Sequence, residues 1–196
     1  MSRSPTSLTT DQPDRPDRRH LATDHVLAQG LVGAATTLAV STVVLAQGAS
    51  PRRASFLAVV VVCYGVLSAI DLAEQRLPNR ITLPLAAATI VVVLADDVID
   101  REPGAALGSM AVGLTFAATL LLLRFGMGDV KLAFTVGTIA AWLGAEAVLA
   151  TILVGSLAGA AIALTLVIIH RRWDLTFGFG PVLALGSLAG MVAAVT

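Results

Sequence analysis

Apolar runs separated by short polar breaks dominate the chain from residue 26 onward. Val26 to Ala46 carries no charge, and as a helix rising ~1.5 Å per residue it spans about 31 Å, the hydrocarbon thickness of a bilayer. Ala54 to Ile70 stays uncharged up to Asp71 and predicts a second crossing. Ile81 to Ala95 predicts a shorter third, led in by Leu77-Pro78-Asn79 and ended by Asp96-Asp97. Pro84 is expected in its first turn, where a missing N–H is tolerated. Gly104 to Leu123 gives a fourth span, and Gly178 to Val195 adds another at the end of the chain. Between them, Leu132 to Ile169 is long enough for two crossings and holds one charge, Glu146, which marks the turn of a helical hairpin. The pattern predicts an all-α, polytopic transmembrane bundle of about seven helices, or six if 132–169 crosses once. The stretch 132–145 is short enough to be re-entrant. Residues 26–196 are expected to form one membrane domain. Residues 1–25 form a polar tail, expected to be disordered because it lacks any apolar periodicity.

Composition sharpens this picture. Only 13% of residues are charged, against about 25% in ordinary globular domains, which excludes a soluble domain. Thirteen basic and thirteen acidic residues balance, and aromatics make up 5%, so neither a global charge nor stacking platforms point to nucleic acid. A single cysteine, Cys63, excludes a disulfide framework and a multi-cysteine zinc site. His20, His25 and His170 are not at ligand spacing, and no glycine-rich phosphate loop is present. No metal or cofactor is expected. With the N-terminus inside, cytoplasmic segments carry ten Lys/Arg and outer segments three, Arg52, Arg53 and Arg101, as the positive-inside rule requires. Gly155 and Gly159, like Gly186 and Gly190, are four apart, a spacing that lets helix backbones approach closely in lipid and needs no ligand to explain it.

Most acids fall in loops or the tail, where solvation is the default. Two do not. Asp71 follows directly on an apolar run, and Asp129 opens the helix after Gly126-Met127-Gly128. A carboxylate at mid-membrane costs ~2.5–3.5 kcal/mol, less near an interface. Each follows an even number of crossings, so both end at the cytoplasmic face and can converge. At about 4 Å and an effective dielectric near 20, two such charges repel by ~4 kcal/mol, enough that one holds a proton near neutral pH while its partner is ionised. Such a pair can activate water and protonate a peptide carbonyl. The glycines before Asp129 permit backbone conformations closed to other residues and a close approach of another segment. Lys131 can neutralise charge or hydrogen-bond the assembled site. Taken singly, each acid also reads as a capping or anchoring residue.

The ordered set of motifs resembles the type IV prepilin peptidase family. Ala69-Ile70-Asp71, with Leu77-Pro78-Asn79 and Thr82-Leu83-Pro84, is similar to its first catalytic segment. Gly126-Met127-Gly128-Asp129-Val130-Lys131 matches its Gly-x-Gly-Asp-x-Lys segment without a gap, and Phe179-Gly180-Pro181 resembles its Phe-Gly-Pro segment. The resemblance covers roughly residues 54–196. It implies a membrane aspartic endopeptidase in the plasma (inner) membrane, with Asp71 and Asp129 as the catalytic pair at the cytoplasmic face. It also implies a substrate with a basic leader and an apolar helix, such as a prepilin or pseudopilin. Asn79 stands where many relatives have Asp. No paired Cys-x-x-Cys motif is present, so the resemblance implies no methyltransferase activity and points to the peptidase-only branch that serves Tad-type pili. Glu74 could meet a leader Lys or Arg, or pair with Arg76 or Arg80. Two other readings stay open. One is a Gly-x-Gly-Asp intramembrane protease of another type, although that type ends in Pro-Ala-Leu where this chain has Phe-Gly-Pro-Val-Leu-Ala. The other is a small proton-coupled transporter or channel using the two acids as relay groups.

Overall fold

The computed structural model describes residues 50–100, 104–170 and 178–194. Within them the chain forms six helices and no strand: α1 Pro51–Glu74, α2 Asn79–Asp100, α3 Ala105–Leu122, α4 Met127–Leu143, α5 Ala145–His170 and α6 Gly180–Ala193. The polar tail and the 26–46 span lie outside the described residues. Four helices, α1, α2, α3 and α5, are long and apolar enough to cross a membrane. At most 33% of the apolar stretch of each is buried inside the bundle. The remainder, including Val59, Val98 and Leu122, faces outward. So large an apolar exterior suits lipid and not water. The all-helical, polytopic bundle read from the hydropathy pattern is the observed fold.

The core explains where the acids point. On α1 the buried positions Leu57, Val60, Tyr64 and Leu67 recur at helical spacing, and Asp71 is the next position on that stripe. On α4 the inward face runs Leu132, Val136 and Ile139, and these pack with the α1 stripe and with Ala184 and Met191 of α6. Asp129 lies one turn before Leu132 and Ala133. Each acid therefore ends a stripe directed at the interior, although the backbones of α1 and α4 do not run alongside each other. Neighbouring helices approach on glycine. A Cβ on Gly137 would lie 2.9 Å from the Gly113 Cα, and one on Gly186 would lie 2.7 Å from the Thr151 carbonyl oxygen and 3.2 Å from the Gly155 Cα. Hydroxyls on these apolar helices close onto their own backbone. Thr89, Ser109, Thr115 and Thr119 each donate to the carbonyl four residues earlier.

The long apolar stretch 132–169 divides into two helices at Gly144, whose φ of 129° only glycine adopts without strain. The expected break forms there, two residues before Glu146. Three other expectations need correction. Pro84 is not in the first turn of its helix. The Pro78 carbonyl accepts from the Ile81 and Thr82 N–H groups and starts α2 at Asn79, so Pro84 sits in the second turn and withholds a donor from the Arg80 carbonyl. Asp96-Asp97 does not end that helix, which continues to Asp100. Nor is Asp96 a solvated loop acid. It is 2% exposed and accepts hydrogen bonds from Arg52, from Arg53 and, at 3.1 Å, from the Trp142 Nε1. Arg53 also pairs with Asp100. The helix runs on through Asp96 and Asp100 because Arg52 and Arg53 of α1 neutralise them, and the Trp142 indole of α4 adds a hydrogen bond to Asp96.

Candidate active site

Three connections meet at one end of the bundle: 75–78 between α1 and α2, 123–126 between α3 and α4, and 178–179 before α6. Asp71 is in the last turn of α1 and 3% exposed. Its Oδ2 accepts a 2.9 Å hydrogen bond from the N–H of Gly180, the first residue of α6. A helix N-terminus has unpaired N–H groups and a positive dipole end, so a carboxylate there is stabilised by both. The fit is close. A Cβ on Gly180 would come within 2.9 Å of the Asp71 Oδ2, and one on Gly178 would overlap the same carboxylate.

Asp129 is the third residue of α4, after the N-cap Gly126. From there a side chain can reach back toward the N-cap, as in half of a capping box, and a Cβ on Gly126 would lie 3.3 Å from the Asp129 Oδ2. Its Oδ1 is buried and has no hydrogen-bond partner among the described residues. The charge on Asp71 acts directly on Asp129. Two carboxylates far apart in sequence thus come to one end of the bundle, Asp71 bonded to the N-terminus of α6 and Asp129 in the first turn of α4.

The motif residues around them divide by task. Gly126 has an ordinary backbone (φ −59°, ψ 145°), and neither Gly126 nor Gly128 has a positive φ. The expected unusual conformation is therefore absent, and what these glycines supply is room. A Cβ on Gly128 would lie 2.7 Å from the Leu77 Cβ, so this glycine lets the first turn of α4 press on the segment that follows Asp71. Lys131 donates from Nζ to the Asn79 Oδ1 at 2.7 Å and clamps α4 to the start of α2. An Asn at position 79 accepts this bond as an Asp would. Pro78 caps α2. Phe179 packs on Phe125 with ring centroids 4.7 Å apart, and Pro181 sits in the first turn of α6, where its missing N–H costs nothing. Glu74 is exposed, and among the described residues it pairs with neither Arg76 nor Arg80. Cys63 packs against the α1 core. No cluster of three metal-ligating side chains occurs among the described residues.

Sequence reasoning missed Gly178, and it read Leu77 only as a motif residue without its contact to Gly128. Gly178-Phe179-Gly180-Pro181 repeats the Gly-x-Gly spacing seen before Asp129, and that repetition is the signal that points to a second close approach.

A family model described as the type IV leader peptidase family matches residues 58–164, a stretch that includes both aspartates. The chain is 36% identical over 140 residues to a prepilin leader peptidase/N-methyltransferase of Dickeya chrysanthemi, covering 66% of this chain and 48% of that protein. It is 33% identical over 131 residues to the protein of the same name in Escherichia coli (strain K12), covering 64% and 57%. The chain thus spans about half the length of the curated relatives it matches. No solved structure matches it.

Proposed function

The chain belongs to the type IV leader peptidase family, and from that membership we propose that it is an aspartic endopeptidase that removes the basic leader of prepilin-like proteins at the cytoplasmic membrane face. One observation supports the aspartic assignment: Asp71 and Asp129 come to the same end of the bundle, Asp71 seated on Gly178 and Gly180 and Asp129 four residues after Phe125, whose ring packs on Phe179. Two carboxylates so placed share a proton, because both cannot be ionised cheaply at short range. The ionised member takes a proton from water, the water oxygen attacks the scissile carbonyl carbon, and the protonated member donates to the carbonyl oxygen. The Gly180 N–H keeps the Asp71 carboxylate oriented for this exchange, and the unpartnered Oδ1 of Asp129 is an atom left to engage the substrate. The positive-inside count supports the cytoplasmic side, since Arg76, Arg80, Arg124 and Lys131 all flank this end of the bundle. Glu74, exposed three residues beyond Asp71, supplies a counter-charge for a leader Lys or Arg. The test is cleavage of a leader-bearing prepilin by the purified protein in detergent. Asp71→Asn and Asp129→Asn are each expected to abolish cleavage at near-normal membrane levels. Substantial activity in either variant refutes the pair.

A further inference from the structure

At the far end of the bundle a buried carboxylate, held by partly exposed arginines, takes no part in the chemistry above. Asp96 of α2 takes Arg52 and Arg53 of α1 and the indole N–H of Trp142 of α4. The Arg53 guanidinium lies 5.5 Å from the centre of the Trp142 ring, and Phe56 meets that ring edge-on. We propose that Asp96, with these partners, is a positioning residue that sets the axial register of α1 against α4 and so brings Asp71 and Asp129 to the same depth. The inference rests on reading those two acids as the working pair.

The physical argument starts from what fails to fix the register. The α1 and α4 stripes meet through aliphatic side chains, Leu57, Val60, Val136 and Ile139 among them. In lipid such surfaces gain little from one alignment over another, because the tails outside are as apolar as the partner helix. At the aspartate end hydrogen bonds tie α1 to α6 through Asp71 and Gly180, and α4 to α2 through Lys131 and Asn79, but neither joins α1 to α4. The Asp96 cluster is different in kind. Its hydrogen bonds tolerate displacements of a few tenths of an ångström, whereas a slip of one helical turn moves a helix by ~5.4 Å and would leave a buried carboxylate without partners. Buried polar groups are best attested in this role of fixing register. Arg52 and Asp71 stand near opposite ends of α1, as Asp129 and Trp142 do of α4. A shift at the cluster is therefore carried along two rigid helices for roughly 20–28 Å.

The experiment reads register and activity separately. Spin labels on Leu72→Cys and Met127→Cys, both exposed positions, report the α1–α4 distance at the aspartate end in a Cys63→Ala background. Asp96→Asn is expected to shift or broaden that distance by up to ~5 Å, the length of one turn. Without the labels, the same substitution should lower kcat roughly tenfold to a hundredfold with KM little changed, as misplacement of a catalytic group does. Asp96→Glu should recover part of both. Val60→Ala, a core truncation on α1 away from the cluster, should lower the melting temperature yet leave distance and kcat as they were. If Asp96→Asn does not fold, Trp142→Phe, which removes the indole N–H and trims the ring, is expected to shift the distance the same way. A narrow, unmoved distance in the foldable cluster variant, or an equal displacement in Val60→Ala, overturns the inference. A displaced distance in a protein that never cleaves a leader peptide would uphold the register role and refute the proposed function.

Discussion

Gly178→Ala tests the geometry of Asp71 without touching either acid. The added methyl carbon would sit 2.6 Å from the Asp71 Cγ and 3.1 Å from its backbone oxygen, where ordinary contact begins at 3.4 Å. The backbone oxygen belongs to α1 and cannot swing aside, so the carboxylate, whose Oδ2 lies nearer still, must retreat by about 1 Å or the 178–180 segment must move off it. Either response weakens the Gly180 N–H bond to Oδ2. Misplacing a catalytic group by ~1 Å costs about a hundredfold, or ~2.7 kcal/mol of barrier. The fold itself should lose less, since overpacking of this kind costs roughly 1–3 kcal/mol and this segment lies at the edge of the bundle. The assay is kcat/KM on a leader-bearing peptide in detergent, with a circular-dichroism melt as the folding control. Gly108→Ala is the matched comparison. No atom lies within 4 Å of its added Cβ, so activity should stay at the unsubstituted level. If Gly178→Ala cleaves as fast as Gly108→Ala, the close seating of Asp71 on α6 plays no part in catalysis and the reasoning fails.

A cysteine introduced by Gln75→Cys, in the turn that follows Asp71, should react with a membrane-impermeant reagent only from the cytoplasmic side. Labelling of intact cells from outside would invert the topology and remove the case for a cytoplasmic leader. Gly186→Ala places its methyl against the Thr151 carbonyl and the Gly155 Cα, so the α5–α6 contact must open at a cost of roughly 1–3 kcal/mol. An unchanged melting temperature would show that this contact does not matter to stability. EDTA should leave leader cleavage unchanged, because the proposed chemistry uses only the two carboxylates and water. Loss of activity restored by zinc would contradict it.

The one-dimensional pattern was sufficient for the four long spans, α1, α2, α3 and α5, and for singling out two acids that abut apolar runs. Apolar runs of membrane length can be counted, and Asp71 and Asp129 stand out because each abuts such a run. The break at Gly144 was legible for the same reason, since a single charge interrupts the long apolar stretch. Asp96 was not. Beside Asp97 and near Asp100 it has the appearance of a polar helix end, and the partners that allow its burial are 43 to 46 residues away in sequence. A charge can be read as costly from local context, but whether it is compensated depends on groups only the fold brings near. The glycines show the same division. Gly126 and Gly128 were recognisable as part of a motif, yet the reason for Gly128 is the Leu77 Cβ and the reason for Gly178 is the Asp71 carboxylate. Glycine at a position records that space or conformation is needed there. Which of the two, and for which neighbour, is settled by packing between segments far apart in the chain.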